Sequence, residues 1–78
     1  MQQEFPKELF IEIANQPDFI GRISISFAKD LYHADIDILL KESMKIYRHV
    51  KSFYNFPSAR EAQESSYHHL AHYLKTTK

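Results

Sequence analysis

Seventy-eight residues hold one hydrophobic core, and a chain of this length buries only about 60% of the surface that its unfolded form exposes, so residues 1–78 read as a single, thinly cored domain. The absence of cysteine excludes disulfides, thiolate metal sites and thiol nucleophiles, and it fits a reducing, cytoplasmic setting. Ten basic and ten acidic side chains cancel, which removes the overall positive field that draws many proteins to nucleic acid.

The charges are segregated along the chain. Residues 1–40 carry three basic against seven acidic side chains, a net −4, and residues 41–78 carry seven against three, a net +4. Glu4, Glu8 and Glu12 are thereby expected to face Lys41, Lys45 and Arg48, within one chain or across two. The start, Met1-Gln-Gln-Glu-Phe-Pro6, has neither the basic nor the apolar part of a signal peptide, and no uninterrupted aliphatic run exceeds three residues, so no membrane span is expected.

In chain order, Leu9, Phe10 and Ile13 fit one face of a first helix, which should stop near Asn15 because Gln16 precedes Pro17. Pro17 and Asp18 suit the start of a second helix, whose inner face would hold Ile20, Ile23, Phe27 and Leu31. Over residues 29–55, Leu31, Tyr32, Ile36, Leu39, Leu40, Ile46, Tyr47, Val50, Phe53 and Tyr54 recur at three- and four-residue steps, which predicts a long central helix with Lys41, Lys45 and Arg48 on its wet side. Ser58 with Glu61 three residues on forms a capping box and starts a last helix over 59–75, with Tyr67, Leu70, Ala71 and Leu74 inward. The expected fold class is mostly α, a small helical bundle or hairpin of three to four helices with a long central helix. One glycine and three prolines are few for the many turns of an all-β chain. The alternative is α+β. Ile11-Glu12-Ile13, Ile23-Ser24-Ile25 and Ile36-Asp37-Ile38 each alternate with the period of a strand, which gives a short N-terminal β-meander followed by two helices.

Candidate sites follow from side-chain chemistry. Tyr47, Phe53, Tyr54 and Phe56 cluster where the central helix would end, and aromatics beyond what a thin core can hide suit a protein interface. Glu64, His68 and His72 recur at four-residue steps on the last helix and are the candidate metal ligands; the plain reading is a solvated face with Glu64 paired to His68. Lys41, Lys45 and Arg48 form a basic stripe able to follow a phosphate backbone. Asp35 and Asp37 do not by their spacing pair two carboxylates around a substrate, and no serine or histidine spacing identifies a nucleophile with its base. No enzyme activity and no cofactor are expected.

Arg22-Ile-Ser-Ile-Ser-Phe27 followed by Ala28-Lys-Asp-Leu31 is similar to the strand and first helical turn of ribbon-helix-helix repressors. The resemblance covers residues 22–31, and the stretch from Phe27 to Ser58 is far longer than that family's single helix and turn. It implies a dimeric DNA-binding regulator whose Arg22, Ser24 and Ser26 would enter the major groove. The favoured expectation is a small non-enzymatic interaction protein, a regulator, inhibitor or adaptor that binds a larger protein. Self-association is expected with it, because the last helix is too short to cover the apolar face of so long a central one.

Overall fold

The computed structural model describes residues 6–76 of the 78. Four strands, β1 (Lys7–Glu12), β2 (Phe19–Ala28), β3 (Leu31–Leu40) and β4 (Ile46–Phe56), precede one helix, α1 (Ala59–Thr76). Each strand pairs antiparallel with the next in chain order, so the sheet is a meander, β1-β2-β3-β4. The mostly α fold class is therefore overturned, and with it the helical bundle. Residues 29–55 form β3, a turn and β4 in place of a long central helix.

Two physical reasons account for the difference. First, β3 is buried on both sides. Ala34, Ile36 and Ile38 point one way while Asp37 and Leu39 are buried on the other, which erases the alternation that marks a half-buried strand. Second, the turns are made without glycine. Lys29 and Asp30 both take positive φ (55° and 66°) in the two-residue connection between β2 and β3, the pattern of a type I′ hairpin turn. The loop from Lys41 to Lys45 places Met44 at φ 61°, with the Met44 N–H donating to the Leu40 carbonyl at 2.6 Å. The strand alternative was closer: all three alternating triplets lie on or at the end of β1, β2 and β3, but a fourth strand and one helix follow them, not two helices. The helical turn implied at Ala28–Leu31 by the ribbon-helix-helix resemblance is that same hairpin turn.

One face of the sheet carries Leu9, Ile11, Gly21, Ile23, Ile25, Ala34, Ile36 and Ile38 in register, and α1 lies on it. The helix starts where expected, with the Glu61 N–H donating to Ser58 Oγ at 3.1 Å. Of the four residues expected inward, Leu70 is buried and Leu74 packs against the core. Tyr67 and Ala71 are exposed, and Ala62, Ser66 and Leu70 are buried at four-residue steps, continued by half-buried Tyr73 and Leu74. Small residues at 62 and 66 let the helix backbone approach the sheet, where an inward Tyr67 would hold it off. A Cβ at Gly21 would stand 2.9 Å from Leu70 Cδ2, so Leu70 occupies the gap that glycine leaves. The Ser66 hydroxyl is buried with no hydrogen-bond partner among the described residues. α1 is not long and apolar enough to cross a membrane.

Truncating Leu70 to alanine is expected to cost about 2–4 kcal/mol, from lost burial and the cavity left over Gly21. Ser66→Ala removes an unsatisfied buried hydroxyl and is expected to leave stability unchanged or raise it by up to about 1 kcal/mol. Urea unfolding of the two variants measures both.

Candidate functional site

The face turned away from α1 is polar at its centre. Strand alternation sets Arg22, Ser24 and Ser26 of β2 beside Asp37, Asp35 and His33 of β3 on this side, with Glu8 of β1 and His49 and Ser52 of β4 completing the rows. Arg22, the register partner of Asp37, donates from Nη2 to Asp37 Oδ2 at 3.1 Å, and its Nη1 stands 3.6 Å from Glu8 Oε2. Asp37 is 4% exposed, and its second oxygen accepts from His49 Nδ1 at 2.7 Å. Ser52 Oγ lies 2.9 Å from His49 Nε2 and donates to Asp35 Oδ1 at 2.5 Å. A buried carboxylate needs such partners, because its desolvation is otherwise expensive.

Asp37, His49 and Ser52 thus stand in the atom order of a hydrolytic triad, carboxylate on Nδ1 and hydroxyl on Nε2. Ser52 Oγ donates to Asp35 Oδ1, and which of Ser52 Oγ and His49 Nε2 donates to the other depends on the imidazole tautomer. Four clefts of the described residues, beside Arg48, Ser43, His68 and Asn15, are lined by residues outside this network.

No family model matches the chain, and no curated protein or solved structure matches it either. The candidate surface is therefore argued from geometry alone. Of the aromatic set, Phe53 and Phe56 pack together at 6.0 Å between ring centres and flank the core under α1, whereas Tyr47 and Tyr54 are exposed. Tyr47 leans on Phe19 at the start of β4, and Tyr54 stands near His33 toward its end, on the opposite face. The four residues do not form one patch. They mark the length of β4, which among the described residues has no strand beyond it in the sheet.

The basic stripe lies in two kinds of structure. Lys41 and Lys45 sit in the turn before β4, where Lys41 pairs with Glu12 at 3.5 Å; Arg48 is on β4, on the α1 side opposite Ile38. Of the three glutamates expected to face this stripe, Glu12 does so, Glu8 pairs with Arg22, and Glu4 lies outside the described residues. Arg48 borders a cleft of about 240 Å³ lined with Ile13, Phe19, Tyr47, Tyr73 and Leu74. Arg22 is committed to Asp37 and Glu8, so the β2 face that carries Ser24 and Ser26 presents a neutralised arginine.

Glu64, His68 and His72 share the outer side of α1, but Glu64 pairs with Arg60 at 3.1 Å, and no three His, Asp or Glu side chains among the described residues are grouped to hold a metal ion. Sequence reasoning missed the Asp37–His49–Ser52 row. The one signal for it was the alternation of Asp35 and Asp37, which points both to one side of a strand. Replacing Asp37 with alanine strands Arg22 and His49 and is expected to cost about 3 kcal/mol, against less than about 1 kcal/mol for Glu8→Ala at the exposed end of the same network. Thermal or urea unfolding of both variants checks the difference.

Proposed function

We propose that this chain is a small non-enzymatic interaction protein that binds a larger protein as its regulator, inhibitor or adaptor, and that it binds through the outer side of β4. The character of that strand carries the reading. It is the longest of the four, it closes the sheet, and Ile46, Tyr47 and Tyr54 along it are 58%, 56% and 65% exposed. An unpaired edge offers a row of amides and carbonyls to a further strand, and exposed tyrosine is among the residues that dominate interface energetics. The sequence-based reason for self-association was an uncovered apolar face on a long helix. Residues 29–55 form two strands, so that support falls away and a different, larger partner is favoured.

Capture from the native host tests the reading, with wild-type chain compared with the double variant Tyr47→Asp, Tyr54→Asp. The expected outcome is a protein retained by the wild type and lost by a variant that keeps its circular dichroism spectrum. Equal retention by both overturns the assignment to β4. Retention that disappears on nuclease treatment points instead to the nucleic-acid alternative.

A further inference from the structure

Resting on that reading, we infer that the segment β4 receives is extended and acidic, with carboxylates alternating with apolar side chains. The register defines which side chains a new strand would lie beside. On the α1 side, β4 places Arg48 opposite Ile38 and Lys51 opposite Ile36, between Tyr47 and Phe53, and on the other side it places Ile46 opposite Leu39 and Tyr54 near His33, at either end of His49 and Ser52, which are bonded to β3. Cross-strand neighbours on one face interact most strongly when their charges are opposite or both are apolar. A strand laid along β4 is thus complemented by acids on the α1 side and by apolar residues on the other. Period-two alternation delivers both in one sequence.

Charge also decides against a second copy of this chain. β4 holds Arg48 and Lys51 and no acidic residue, so a β4 paired with its own copy sets cation against cation. The acidic edge, β1, has the right sign, with Glu8 and Glu12 against Lys7, but its six residues would span about half of the eleven in β4. Lysine and arginine on an edge guard it against strands of like charge while leaving it open to acidic ones. Among the described residues neither Arg48 nor Lys51 is in an ion pair; the Lys51 ammonium stands 5.9 Å from the centre of the Phe53 ring, which leaves its charge without a carboxylate.

Selection from a random peptide library on the immobilised full chain tests the inference. Enriched peptides are expected to alternate acidic and apolar residues, and their binding is expected to weaken about tenfold or more in the double variant Arg48→Glu, Lys51→Glu. The same variant, selected afresh, should enrich peptides in which basic residues alternate with apolar ones, a reversal that a misfolded protein would not give. Peptides without alternation, no enrichment, or binding indifferent to the charge reversal each overturn it. So does sedimentation showing a dimer that the reversal dissociates. A native partner that is lost with the tyrosine variant but survives the charge reversal defeats this inference and leaves the proposed function standing; no native partner at all defeats both.

Discussion

A helix with its side chains is about 10 Å across, and strands lie about 4.8 Å apart, so one helix covers roughly two strands of a sheet. The described residues form four strands and one helix, and that ratio governs the fold. α1 packs on β2, β3 and β4, where Ile23, Ile25, Ile36 and Leu70 are fully buried, and it does not reach β1. Val50 and Phe53 on β4 are only half-buried, and Leu9 and Ile11 on β1 likewise. The exposed Ile46 and Tyr54 of β4 lie on the face away from α1.

The same shortage explains the chemistry of the uncovered face. With no second layer there, an apolar surface would be left in water, and the sheet instead carries Arg22, Asp37, His49, Ser52 and Asp35 as a connected set. Such a set holds register as well as solubility, since a one-residue slip of β3 would carry Asp37 under α1 and Ile36 or Ile38 out. The meander also turns a pattern of sequence into a pattern of space. Because strands lie side by side in chain order, the acidic first half and basic second half become an acidic edge and a basic edge.

The last helix was legible in the sequence, because Ser58 and Glu61 form a local signal whose hydrogen bond the fold retains. The three alternating triplets were legible as strands, yet apolar spacing over 29–55 favoured a helix. Leu39, buried on the side away from α1, supplied the misleading periodicity. The turns at Lys29-Asp30 and around Met44 adopt left-handed backbone with residues that ordinarily sit in helices, so neither break was marked. The polar row was less accessible still. Asp37, His49 and Ser52 meet only through the β3–β4 register, and that register contains shifts between Ile36 and Asp37 and between Ile38 and Leu39 that no local rule supplies. The charge segregation needed no structure to be seen; its meaning depended on the meander.

The position of α1 after all four strands sets an order of events during synthesis. Each hairpin can close soon after its second strand leaves the ribosome, since every strand pairs with its predecessor. The isoleucine face of the sheet then has no cover until residues 59–76 emerge, and the apolar surface waits longest at the moment when the chain is most crowded by its neighbours. Shelter for the nascent sheet, or a pause that keeps β2 and β3 from pairing early, matters most in that interval. A ribosome that stalled near Phe56 would leave behind a product with all its strands and no roof.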